Sequence, residues 1–147
     1  MLKILYFDVN HAISVHDKII QKSGGNMGTI NIGLLESTLA HIQNDIYYPT
    51  FESKANHLFY SINKNHAFTD GNKRSSIALC AYFMEINGFG FKINYFLSEI
   101  ENIAVDVADN RIDKELLQEI ITSLLYESGF CNKLKMKIIN AKMKQRL

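Results

Sequence analysis

The sequence predicts a mainly α-helical fold built around one buried central helix, with room for a short β element. Three observations carry this. Apolar residues recur at helical spacing in successive stretches of the 147-residue chain. Only one proline, Pro49, interrupts them. The run Ile77–Met84 is apolar nearly all round, the mark of a helix buried on most sides.

Lys3 to Phe7 is short, apolar and β-prone, and Asp8 after it suits a helix N-cap. Val9, Ala12, Ile13, His16 and Ile20 then follow helical spacing as far as Ser23. Gly24-Gly25-Asn26-Met27-Gly28 is a loop able to take left-handed backbone angles. A second helix is expected from about Ile32 to Asn44, with Leu35, Leu39 and Ile42 on one face. Asp45 to Thr50, which holds Pro49, breaks it. A third runs from about Ser53 to Asn63, with Ala55, Leu58, Phe59 and Ile62 inward.

The central helix runs from Gly71 or Asn72 to Ile86, closed by Asn87-Gly88. Phe89, Phe91 and Ile93 alternate with Gly90 and Lys92, as in a short extended piece. A fifth helix follows from about Tyr95 to Ala108. Asp113 caps a sixth, whose apolar face includes Leu117, Ile120, Ile121 and Leu124, and Gly129 ends it. In the tail, Leu134, Met136 and Ile138 alternate with lysines as in a strand. Ile138, Ile139 and Met143 suit an amphipathic helix equally well, and both readings stand.

Apolar content of 47% and charged content of 21% fit an ordinary globular chain, long enough for one domain with its own core. Net charge is +1, which implies no global attraction to nucleic acid or an acidic membrane. That total hides an asymmetry. From Asn132 onward there are six Lys/Arg and no acid, so the preceding body is net negative. Residues 1–131 therefore read as one globular domain and 132–147 as a basic tail, whose cations could give weak, salt-sensitive nucleic-acid contact. Cys80 reads as a small core residue, and two cysteines make no disulfide framework. No leader pattern or membrane-length apolar run is evident, so a cytoplasmic protein without membrane contact is expected.

The stretch that carries chemistry is His66-Ala67-Phe68-Thr69-Asp70-Gly71-Asn72-Lys73-Arg74. A polar turn feeding a buried helix offers main-chain N–H groups and the positive end of a helix dipole to an anion, normally a phosphate. Gly71 and Asn72 supply the turn and the N–H donors. Arg74 can grip phosphate in bidentate fashion, and Lys73 adds a point charge. Asp70 has two competing roles, as a ligand for Mg²⁺ on nucleotide phosphates and as N-cap of the central helix. His66 is the candidate general base, able to take a proton from an attacking hydroxyl near neutral pH. Phe68 anchors the loop that holds it. His11, His16, His41 and His57 share no metal-ligand spacing and read as structural.

The motif resembles the signature of the Fic/Doc family, its Doc (death-on-curing) branch in particular. The likeness extends to His16-Asp17 with Gly24-Gly25, to Leu35-Glu36-Ser37, to Ser61-Ile62 and Lys64-Asn65, and to Asn87-Gly88. The resemblance implies a compact helical Fic/Doc fold, ATP and Mg²⁺ as cofactors, and a phosphate contact from Asn72. It also implies that the 24–28 region helps form a flap for the target protein. The commoner Fic pattern has Gly in place of Lys73 and Arg in place of Ile77, and goes with AMP transfer to protein hydroxyls. The Doc branch carries Lys at the place of Lys73 and is known for moving the terminal phosphate. The implied function is a toxin that phosphorylates a Ser or Thr of an elongation factor Tu-like translation factor and is silenced by an antitoxin. AMP transfer by the same site, or an inactive binding module, are the alternatives.

Overall fold

The computed structural model describes residues 3–29 and 31–144. Asp8 starts the first helix, α1 (Val9–Ser23), by accepting the N–H of His11, and Asn31 starts α2 (Ile32–His41) through the N–H of Leu34. Thr50 and Ser53 form a reciprocal capping box at the start of α3 (Phe51–Asn65), which Pro49 precedes. The central α4 spans Asn72–Ile86, followed by α5 (Ile93–Ala108), α6 (Lys114–Tyr126, capped by Asp113) and α7 (Asn132–Lys142).

Helix α4 lies among α1, α3 and α5, and α6 packs on α3. Leu58, Phe59, Leu79, Phe83, Ile100, Leu117 and Leu124 are fully buried in one continuous core. Lys54 is buried too. Its ammonium donates to the Ile42 carbonyl and to Asp45, both at 2.7 Å, and so closes the turn between α2 and α3. The Cys80 thiol is free and buried, and burial pushes its pKa up to about 12.

Two β expectations fail for identifiable reasons, and the reading left open for the tail is decided. The Lys3–Phe7 segment finds no partner strand among the described residues. Instead the Asn87 carboxamide stands in for one, accepting from Leu5 N–H at 2.8 Å and donating to Leu5 C=O at 2.9 Å. Gly90–Lys92 is a 3-10 turn that runs straight into α5. It turns because Phe89 stacks on Phe51 at 4.8 Å while Phe91 stays 80% exposed, so the alternation does not define a buried face. The tail is helical, with Leu134, Ile138 and Ala141 packed into the main core. Its charge asymmetry is partly resolved within the molecule: Lys137 pairs with Glu119, and Lys142 with the buried Asp106. Arg146, the sixth tail cation, lies outside the described residues.

His57 on α3 lies 2.9 Å from the Lys114 ammonium at Nδ1 and stacks on Tyr48. Burial first, then the charges of Lys114 and His41, lower its pKa to about 4. Its ring resonances in a pH titration by NMR should therefore stay flat from pH 8 to about 5 and move only near 4. An unfolded histidine takes its proton at about 6.5, so this group makes stability fall with pH between about 6.5 and 4.

Candidate active site

Helix α3 ends at His66, which takes left-handed angles, φ 51° and ψ 46°. A non-glycine residue held there stores local strain, and such residues concentrate at functional sites. The turn leaves the imidazole exposed, with no hydrogen bond to any described residue. The chain then dives inward. Ala67 and Phe68 are 2% and 0% exposed and form, with Leu35, a small apolar cluster of their own against Val9, Ile13 and Leu34.

Five hydrogen bonds and a ring stack fix this buried turn. Phe68 forms an isolated antiparallel bridge with Thr29, flanked by Thr69 N–H to Gly28 C=O and Asn31 N–H to Ala67 C=O, each 3.0 Å. The Asn72 side chain brackets the Phe68 main chain, accepting its N–H at 3.2 Å and donating to its C=O at 3.1 Å. The His16 ring lies flat on the Phe68 ring, 3.8 Å away and 3° from parallel. Its Nε2 donates to the Asp70 carbonyl at 2.6 Å.

Beyond the turn, Gly71 is the N-cap of α4 with φ 77°, and no side chain caps the helix. An added Cβ there would sit 3.0 Å from Ile20 in a conformation that L residues avoid, which is why glycine stands at this point. The main-chain N–H groups of Asn72, Lys73 and Arg74, first in the helix, are thus left without helical acceptors. Lys73 is exposed beside them and Arg74 half-exposed. Free N–H groups, the positive end of the helix dipole and two side-chain charges thus coincide, an arrangement that can attract an oxyanion.

Asp70 does not cap α4. Its Oδ1 accepts from Gly71 N–H at 2.8 Å and its Oδ2 from Asn26 N–H at 3.1 Å, so it braces the 24–28 loop. Those two main-chain donors, helped by Arg74 and Lys73, hold its carboxyl below the usual range and keep it ionised. Arg74 ties the same loop from the other side, Nη1 donating to Gly24 C=O at 3.0 Å. The approach is close enough that a Cβ on Gly25 would fall 2.8 Å from Asp70 Oδ2. Asn72, its carboxamide engaged by Phe68, has its main-chain N–H to offer an anion. From Lys73 and Arg74 a cavity of about 610 Å³ runs between α1, α4 and α5 over Ile77, Ala81, Leu97 and Val105.

Residues 6–84 match the Fic/DOC family, a span that takes in α1 to α3, most of α4 and the whole loop just described. This chain belongs to the Fic/DOC family. A relative, Toxin Doc of Mycolicibacterium smegmatis (strain ATCC 700084 / mc(2)155), is 33% identical over 94 residues, covering 61% of this chain and 72% of the relative. No helix among the described residues of this Fic/DOC protein is long and apolar enough to cross a membrane.

Sequence reasoning gave His16 only slight weight and missed the brace between Asp70 and Asn26. A signal existed for the first: His16 falls between Ala12 and Ile20 on the inward face of α1, where a polar ring needs partners.

Proposed function

We propose that this Fic/DOC protein transfers the terminal phosphate of ATP to a Ser or Thr hydroxyl of an elongation factor Tu-like protein, as the toxin of a toxin–antitoxin pair. One observation carries the reading. An exposed imidazole on a strained turn, His66, is joined by a rigid buried loop to a helix terminus with three free N–H groups and two cations.

In the proposed reaction His66 takes the proton of the attacking hydroxyl. The new bond forms between the hydroxyl oxygen and the γ-phosphorus, the bond from γ-phosphorus to the β–γ bridging oxygen breaks, and ADP leaves. Positioning and charge stabilisation supply most of the acceleration in such transfers. The N–H groups of Asn72, Lys73 and Arg74 hold the phosphate oxygens. Asp70 is the fitting residue for Mg²⁺: it is ionised, and a carboxylate accepting two N–H bonds keeps lone pairs free. No cluster of three or more metal-ligating side chains occurs among the described residues, so phosphate and water would complete the shell. When bound, Mg²⁺ would neutralise charge on the phosphates.

Lys73, in place of the Gly that accompanies AMP transfer, favours the γ-phosphate. The groove leading away from Lys73 and Arg74, cationic at one end and apolar along Ile77, Leu97 and Val105, suits an amphipathic antitoxin segment with an acidic end. Incubating the protein and Mg²⁺ with a bacterial extract and ATP labelled at the α or the γ phosphate tests the reaction. Protein label from γ alone is expected. Label from α would establish AMP transfer instead, and bound ATP with no label from either would leave a binding module.

A further inference from the structure

His16 is 0% exposed on α1, yet every polar atom of its ring meets a partner. Nε2 lies 2.6 Å from the Asp70 carbonyl, 54 residues away, and since a carbonyl only accepts, that nitrogen carries the hydrogen. Nδ1 faces Asp17 Oδ1 at 3.2 Å, and since a carboxylate only accepts, this contact fixes the ring's rotation when Nδ1 carries a hydrogen as well. The ring face covers Phe68, and its Cδ2 lies 3.6 Å from where a Cβ on Gly71 would be. One imidazole thus touches Phe68 and Asp70 and lies beside Gly71, three of the five residues that connect His66 to α4.

Burial alone would be met by an aliphatic side chain, as it is by Ala12 and Ile20 on the same face. What an aliphatic residue cannot do is hold the Asp70–Gly71 peptide plane. That plane sets where Gly71 N–H points, and it points at Asp70 Oδ1 at 2.8 Å. It also sets the left-handed turn from which the free N–H groups of Asn72, Lys73 and Arg74 project. We infer that His16, oriented by Asp17, is the positioning residue of the phosphate nest. It touches neither nucleotide nor hydroxyl and acts through the Asp70–Gly71 peptide. The effect on transfer rests on the function proposed above, whereas the effect on the loop does not.

The test compares His16→Leu, which keeps an apolar filling without a donor, with His16→Gln, whose amide N–H can reach the Asp70 carbonyl. In His16→Leu, amide exchange at Phe68, Thr69 and Gly71 should quicken at least tenfold while α6 amides keep their rates. ATP affinity by calorimetry should weaken, and kcat should fall about tenfold to a hundredfold, the scale of a misplacement near 1 Å. His16→Gln should restore most of all three. A folded His16→Leu with wild-type exchange, ATP affinity and kcat overturns the inference. So does a folded His16→Gln that fails as badly as His16→Leu. Should His16→Leu not fold, Asp17→Ala replaces it: severalfold lower kcat at near wild-type Tm supports the inference, and unchanged kcat overturns it. If the wild type transfers nothing, or His66→Ala stays active, the proposed reaction fails, and exchange and ATP affinity still decide the role of His16.

Discussion

Replacing His66 by alanine is expected to cut transfer by about 10² to 10⁴, the range a positioned general base supplies, while leaving the fold in place. The two halves of that expectation come from different facts. The imidazole is exposed and bonds to no described residue, so removing it deletes no packing and orphans no buried partner. Surface changes of this kind usually stay within about 0.5 kcal/mol. The main-chain conformation needs its own control, because φ is 51° and alanine tolerates left-handed angles poorly. His66→Asn keeps a residue that accepts those angles and removes the base. Both variants should lose transfer with a Tm close to wild type and unchanged ATP binding. Full activity in either correctly folded variant would remove His66 from the chemistry.

The proposed site could be read from the sequence because its candidate groups are local: imidazole, carboxylate, turn and cations fall within the nine residues His66 to Arg74. Helix starts at Asp8 and Asp113 were legible for the same reason, since a cap depends on three or four neighbouring residues. What stayed hidden was long-range. Asp70 could be read as metal ligand or helix cap, but its actual partner, the N–H of Asn26, is 44 residues away. Asn72 is bonded within its own loop, yet the conformation that turns its carboxamide back onto Phe68 exists only once His16 and Thr29 have buried that ring. The β-prone N-terminal segment misled because a strand requires a partner as well as propensity, and a single Asn87 side chain supplies the pairing. For the tail, alternation and helical spacing competed, and the docking of Leu134, Ile138 and Ala141 on the main core decided it.

Phe68→Ala is the substitution expected to cost most stability, about 3–5 kcal/mol, as for other fully buried aromatic rings cut to alanine. The ring is 0% exposed and sits in a cluster with few other members, chiefly Leu35 and Ala67, so little surrounds it that could collapse into the space. It also leaves one face of the His16 ring uncovered. Urea denaturation should give a lower midpoint at unchanged slope, as a loss of stability without change in exposed surface requires. Activity should fall further than the unfolded fraction explains, even well below the new Tm. The bonds from Asn72, Gly28 and His16 would hold the main chain of the loop, but no ring would pack it against α1, and the distance between the imidazole and the free N–H groups would be less firmly fixed. Phe68→Leu separates the two effects. It should recover much of the stability, since it refills most of the cavity, but less of the rate, because a branched aliphatic cannot offer His16 a flat face. Equal recovery of both would mean that the ring serves only as filling.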